Sequence, residues 1–136
     1  MGGFYGKENL SEKIRDLYDD LTHCWCAETC AERMRGDWSE ENPTLGQCSI
    51  TSFLVQDIYG GRVFGIPLPG GGYHCYNVVG GIKFDLTSEQ FGDKAKDLDY
   101  TDRFEQSREV HFLDPDKKRR YELLKKIYLE YRRNAK

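Results

Sequence analysis

The sequence has 136 residues, of which 38% are hydrophobic, 32% charged and 13% aromatic, and its formal net charge is −3. This length fits one domain, and so much aliphatic and aromatic surface is typical of a folded chain. No uncharged stretch approaches the ~18 apolar residues of a membrane span, so we expect no membrane association. An acidic chain is a poor match for nucleic acid, and we expect none as a partner. The basic segment 115–136 is interpreted as a solvated helix face.

Cysteine content indicates the compartment. The count is five, and residues 1–7 lack the apolar stretch of a signal peptide. An odd number of cysteines without a secretion signal argues against a disulfide framework and favours a reducing environment. We therefore predict a cytoplasmic protein with free thiols at Cys24, Cys26, Cys30, Cys48 and Cys75.

The first half of the chain has helical patterns. Residues 11–22 carry apolar side chains at helical spacing behind a possible Ser11 cap, and a short helical stretch is expected over 28–34. After a loop, Thr44 and Gln47 have the spacing of a capping box. The helix that this box would start is apolar on several sides, so it is predicted to be central and buried, and to end at Gly60-Gly61.

The second half has strand patterns. Three strands are predicted, and the last two are joined by Gly80-Gly81, a strong hairpin signal: 62–68, 73–79 and 82–86. A short helix follows Thr87, residues 92–106 carry no clear pattern, and 108–113 is read as a further strand. Asp114-Pro115 then begins a long terminal helix. This order predicts a single α+β domain over 1–136, with a core of about 22–113 and a C-terminal helix of about 115–134.

Cys48 is the candidate nucleophile. With Thr44 as the cap, it would be the fourth helical residue, where the helix dipole favours a thiolate over a thiol. Taken alone, a cysteine at such a position is as consistent with a buried apolar residue.

The hairpin supplies a possible base for this thiol. A two-residue turn at Gly80-Gly81 pairs Tyr76 with Asp85 across the two strands, so His74 and Asp85 become diagonal neighbours on one face. Cys75 then points to the other face. A structural pair that ties the hairpin together would give the same pattern.

Together these residues suit thiol-based acyl chemistry. The thiolate of Cys48 would attack an acyl carbon, His74 would shuttle the proton, and Asp85 would orient the imidazole. The amide of Gln47 or the backbone N–H of Cys48 would bind the oxyanion. Tyr76 and Asn77 are candidate substrate-binding residues beside the histidine. No cofactor and no metal is required.

Several short motifs carry a resemblance to a known family. These are Asn42-Pro-Thr-Leu-Gly-Gln-Cys48, Val55-Gln-Asp57 with Gly60-Gly61, His74-Cys-Tyr-Asn77, and Asp85-Leu-Thr87 with Gln90-Phe91. In combination they resemble the YunG family of small bacterial proteins, over about residues 22–92.

A more distant resemblance concerns the site. Gly46-Gln-Cys48, a strand histidine followed three residues later by Asn77, and an aspartate on the next strand are similar to the transglutaminase and papain-like core. That resemblance implies Cys48 as nucleophile, His74 as base and Asp85 as orienting residue. Tyr76 departs from the pattern, which would have Trp before the asparagine, and the chain is short for a substrate cleft.

Two other interpretations stay open. Cys24, Cys26 and Cys30 are the best candidates for a metal, but the first two are too close together for a usual zinc site. The same fold could also serve as a non-catalytic module that holds a peptide or small ligand beside Cys48. His111 is read as a structural strand histidine. The hypothesis that the sequence favours is a cysteine-dependent hydrolase or acyltransferase acting on an amide or isopeptide bond of a peptide or small amide.

Overall fold

The computed structural model describes residues 3–135 of the chain. Its α-helices are α1 (Glu12–Leu21), α2 (Cys48–Tyr59), α3 (Arg108–His111) and α4 (Pro115–Asn134), and its strands are β1 (Arg62–Pro67), β2 (Tyr73–Val79), β3 (Ile82–Phe84) and β4 (Phe104–Glu105). Shorter 3-10 segments cover Lys7–Asn9, Ala27–Thr29, Glu32–Asp37 and Ser88–Asp97. The segment 1–7, from which the absence of a signal peptide was predicted, is described only in part, because Met1 and Gly2 lie outside the described residues.

The strands form one antiparallel sheet in the order β3-β2-β1-β4. In the β2–β3 hairpin, Val79 faces Ile82 and Val78 faces Lys83, as the two-residue turn predicted. Gly80 and Gly81 have φ angles of 57° and 79°, the left-handed conformation that a hairpin turn of this length requires and that glycine adopts without steric cost. The predicted register is therefore confirmed.

Strand β3 is shorter than predicted. It ends at Phe84, and Asp85 instead pairs with Tyr5 from the N-terminal segment, donating its N–H to the Tyr5 carbonyl at 3.0 Å. The sequence pattern at 85–86 is compatible with a strand, but the backbone of Asp85 is hydrogen-bonded to the N-terminal segment and not to β2. Asp85 thus lies at the end of the sheet, where its side chain faces the interior.

Helix α2 begins later than predicted. Cys48 is its first residue and Gln47 its N-cap, and Thr44 plays no capping role. The reason is Gly46, whose φ of 71° is incompatible with a helix interior. A Cβ on Gly46 would lie 2.5 Å from the Cys30 Sγ, so this close approach also requires glycine. Cys48 consequently lies closer to the helix end than the capping box indicated.

The other elements divide between confirmed and corrected predictions. Helices α1 and α4 match, with Asp114 capping α4 by accepting the N–H groups of Asp116 and Lys117. The stretch over 28–34 forms two 3-10 segments, and the predicted strand over 108–113 is wrong, because the Ser107 hydroxyl caps a short helix there. Strand β4, in the unassigned region, pairs with β1.

The two faces of the sheet are covered differently. One face packs against α2, with Val63, Cys75 and Phe84 buried in a core that α1 and α4 complete. The other face carries a smaller aromatic cluster of Phe64, Ile66, Tyr76 and Tyr100. Among residues 3–135, no helix combines the length and the apolar character needed to cross a membrane. The antiparallel sheet with a central cysteine-bearing helix confirms the α+β prediction.

Candidate functional site

His74 and Asp85 form a buried pair. The His74 Nε2 lies 2.6 Å from the Asp85 Oδ2, and each side chain is only 1% exposed. The hairpin register brings them together, as the sequence predicted, and Asp85 reaches back from the end of β3. Because Nε2 is hydrogen-bonded to the carboxylate, Nδ1 of the imidazole is available for a different partner.

Asp85 is held by further donors that the sequence did not reveal. The Tyr100 hydroxyl donates to Oδ2 at 2.6 Å, and Thr87 donates its backbone N–H to Oδ1 at 3.1 Å and its hydroxyl at 3.3 Å. A carboxylate with this many donors is stable in a buried position. Thr87 belongs to a recognisable motif, but Tyr100 lies in the stretch without a pattern, and no local signal marks it.

Cys48 lies at the N-terminal end of α2, beside the first residues of β2. Its side chain is half-buried, and its Sγ is 3.9 Å from the Tyr73 carbonyl. The hydrogen bond from the Cys75 thiol, followed by the hydrogen bond and positive charge of His74, outweighs burial and holds the pKa of Cys48 well below its usual range. The first-turn position adds the favourable end of the helix dipole.

The pKa of His74 is shifted in the opposite direction, upwards. Burial alone would lower the pKa of His74, but the charge and hydrogen bond of Asp85, with those of Cys48, raise it to about 10. The Cys48 thiolate and burial raise the pKa of the Cys75 thiol well above its usual range, so Cys75 stays protonated and donates its S–H. The arrangement is that of a thiolate and an imidazolium held together by a buried carboxylate.

The thiol opens into a cavity of about 450 Å³. Its walls come from the 3-10 segment at 32–37, the loop before β2, the region after Asp85 and the first turns of α4. Phe91 covers the imidazole of His74 edge-on, with ring centroids 4.7 Å apart. Cys48 and His74 both line the cavity, whereas Asp85 lies behind the histidine.

The three predicted oxyanion and substrate residues lie elsewhere. Gln47 is fully buried and donates its amide to the Cys26 carbonyl at 3.1 Å. The Tyr76 hydroxyl donates to Asp102 at 2.6 Å within the aromatic cluster, and the Asn77 amide donates to the Ser52 carbonyl at 2.9 Å, tying α2 to β2. None of them lines the cavity, so their placement does not support the predicted contacts with substrate.

The other cysteines do not assemble a metal centre. Cys24 and Cys30 are buried, and Cys26 is half-buried. In the part of the chain that the structure describes, no group of three or more His, Cys, Asp or Glu side chains is arranged to hold a metal ion.

The fold and the site define a class: an α+β protein in which a helix-borne cysteine, a strand histidine and a buried aspartate form a hydrogen-bonded chain. The chain matches the model of the family described as "YunG protein" over residues 13–132, and it belongs to this family. It is 35% identical over 91 residues to the "Uncharacterized protein YunG" of Bacillus subtilis (strain 168), an alignment that covers 67% of this chain and 74% of that protein. No solved structure matches the chain.

Proposed function

We propose that this protein is a cysteine-dependent hydrolase or acyltransferase acting on an amide or isopeptide bond, with Cys48 as nucleophile, His74 as acid and base, and Asp85 as the orienting residue. The observation that carries the proposal is the contact of a half-buried, low-pKa thiol with an imidazole that is itself held by a buried carboxylate. A structural cysteine would be buried and inert, with its pKa raised.

The first half of the reaction forms an acyl-enzyme. The Cys48 thiolate attacks the amide carbonyl carbon, a C–S bond forms, and the carbonyl oxygen takes the negative charge. The His74 imidazolium gives its Nδ1 proton to the nitrogen as the C–N bond breaks and the amine leaves. The product is a thioester on Cys48.

The second half releases the acyl group. Neutral His74 takes a proton from water or from an acceptor amine, which attacks the thioester carbonyl. The C–S bond breaks, and the thiolate and imidazolium return. Water makes the protein a hydrolase and an amine makes it an acyltransferase. Asp85 keeps the ring oriented in both halves, since it accepts from Nε2 throughout.

The backbone N–H of Cys48 is the oxyanion donor that we favour. N–H groups in the first turn of a helix have no acceptor within the helix and point outward from its end. The Gln47 amide, the other sequence candidate, is spent on the Cys26 carbonyl. Its role in this proposal is to hold the N-terminal end of α2 in place.

The proposal also includes a structural type, the papain-like and transglutaminase core, and a cytoplasmic location. A cysteine at a helix N-terminus followed by a strand histidine and an aspartate is similar to the papain-like and transglutaminase core, and we assign the chain to that type. The nucleophile must stay reduced, which agrees with a cytoplasmic location. We expect a peptide or a small amide as substrate.

Acylation by an activated ester tests the chemistry. The protein is mixed with p-nitrophenyl acetate, and nitrophenolate release is followed while intact mass and peptide mapping locate the acetyl group. We expect a burst of about one equivalent per chain, acetyl on Cys48, and its loss on turnover. Adding methylamine then shows whether the thioester passes to water or to an amine.

Two variants control this experiment. His74→Ala should lose the burst, and Cys26→Ser should keep it, because Cys26 is a half-buried thiol away from the cavity. If acetyl appears equally on Cys26 or on lysines, or if Cys48 is unmodified, the acyl chemistry is excluded. The alternative then applies, in which the same cavity holds a peptide or ligand without turnover.

A further inference from the structure

The wall of the cavity beside Cys48 contains a lysine, Lys117, that makes no ion pair with a carboxylate among residues 3–135. The first turns of α4 contribute Asp114, Asp116, Lys117 and Arg120 to this wall. Asp114 caps the helix, and Asp116 pairs with Arg120 at 2.9 Å. Among residues 3–135, no carboxylate oxygen lies within 4 Å of the Lys117 ammonium. Glu32 and Arg33 also line the cavity, and both are exposed.

Lys117 is instead held by a neutral imidazole. Its Nζ lies 2.8 Å from the Nδ1 of His111, and the Nε2 of the same ring lies 2.8 Å from the Gln106 side-chain oxygen. An amide oxygen accepts only, so Nε2 carries the proton and Nδ1 accepts from the ammonium. Burial, followed by the charge of Lys117, lowers the pKa of His111 to about 4. The imidazole therefore positions the ammonium without cancelling its charge.

This pattern is suited to a carboxylate. A lysine ammonium has three donors, and His111 takes one of them. Lys117 is half-buried, so a bond from it to an anion is less screened than one at the open surface. Cys48 lies on the wall of the same cavity, so an anion held by Lys117 would share that cavity with the thiol.

We propose that Lys117 recognises a carboxylate on the substrate, so that Cys48 acts on amides carrying an acidic group near the scissile bond. This inference rests on the proposed function of Cys48 and names its substrate class. His111, which the sequence suggested to be structural, is the positioning residue for Lys117, and Gln106 fixes its tautomer.

Two alkylating reagents test this specificity. The Cys48 thiolate displaces iodide from either iodoacetate or iodoacetamide, so that the C–I bond breaks as the same C–S bond forms. The two reagents differ in carrying a carboxylate or a neutral amide. The rate of each at Cys48 is measured by peptide mapping, with Cys26 as the internal reference. The ratio of the two rates reports attraction for the carboxylate, and the iodoacetamide rate alone reports the thiolate.

Three variants separate Lys117 from other charges. In Lys117→Gln we expect the iodoacetate-to-iodoacetamide ratio at Cys48 to fall about tenfold, the loss typical of one charged hydrogen bond, with the iodoacetamide rate within about twofold of wild type. Lys117→Arg should keep most of the ratio. Lys118→Gln is the matched control, because Lys118 is exposed on the same helix and does not line the cavity.

The outcomes distinguish the two proposals. An unchanged ratio in Lys117→Gln, or an equal fall in Lys118→Gln, overturns the inference and assigns the attraction to His74 or to the general field. That result leaves the acyl chemistry standing if Cys48 still reacts with iodoacetamide at low pH. If wild-type Cys48 reacts with neither reagent, the proposed function fails and the inference fails with it.

Discussion

Two cysteine-bearing regions of this protein behave in opposite ways. In the segment 24–30, burial, followed by the charge of Asp20, raises the pKa of Cys24 to about 11, and burial raises the pKa of Cys30. At the end of α2, the pKa of Cys48 is lowered by Cys75 and His74. The comparison shows that burial without a hydrogen-bond donor raises the pKa of a thiol, whereas donors and an imidazolium beside a thiol can outweigh burial and lower it.

The largest expected difference is in protection of the buried thiols. Cys24 is 2% exposed and its Sγ donates to the Asp20 carbonyl at 3.3 Å. We expect native Cys24 and Cys30 to react with iodoacetamide about a hundredfold more slowly than in urea-unfolded protein, because a reagent reaches them only after local opening. Mass spectrometry of each cysteine against time measures this. Native reactivity of Cys24 close to that of Cys48 would break the comparison.

Removing the imidazole should convert Cys48 to an ordinary thiol. In His74→Ala we expect its alkylation rate at pH 6 to fall about tenfold or more, since each unit of pKa is a tenfold change in thiolate fraction. In wild type the rate should persist as pH falls below the usual thiol range, because the folded pKa is lowered. The pH profile of alkylation from 5 to 9 measures both. A Cys48 profile that is identical in the two proteins would show that His74 does not stabilise the thiolate.

Removing the charge of Asp85 should slow the alkylation of Cys48 less than removing His74 does. Asp85→Asn keeps the shape of the pair but removes the charge that raises the pKa of His74, and we expect a three- to tenfold slower Cys48 reaction at pH 6. The comparison variant Tyr100→Phe removes one donor to Asp85 and keeps its charge. It should change the rate less than twofold while costing about 1–3 kcal/mol of unfolding free energy, measured by urea denaturation. If Tyr100→Phe slowed the reaction of Cys48 more than Asp85→Asn, the hydrogen bond from Tyr100 would matter more for the thiolate than the charge of Asp85.

Removing Cys75 should have the smallest effect on the reactivity of Cys48, although its hydrogen bond is the leading cause of the lowered pKa, because a neutral S–H is a weak donor and the charge of His74 remains. Its S–H donates to the Cys48 thiolate, so Cys75→Ala should raise the pKa of Cys48. Because a thiol is a weak, neutral donor, we expect only about a two- to threefold slower alkylation at pH 6. The same pH profile measures it, with His74→Ala as the reference. An effect larger than that of His74→Ala would mean that the thiol pair, and not the imidazolium, makes Cys48 reactive.

Part of the fold could be predicted because its signals are local. Gly80-Gly81 between alternating strands determines the register of the hairpin, and Asp114-Pro115 marks the start of α4. Strand β4 has no such signal, since its two residues are ordered only by pairing with β1. The start of α2 was predicted at the wrong residue because the capping-box spacing was matched without the conformation that Gly46 requires.

The sequence by itself determined the pairing of His74 with Asp85, because the two-residue turn sets the register of the hairpin and so brings the two side chains to the same face of the sheet. Only the tertiary structure decided that Cys48 reaches the imidazole, since packing of α2 on the sheet brings these elements together. The same is true of Tyr100 behind Asp85 and of Lys117 in the wall of the cavity that contains Cys48. The physical reason is that backbone geometry transmits register over a few residues, whereas contacts between distant segments depend on how the whole core packs.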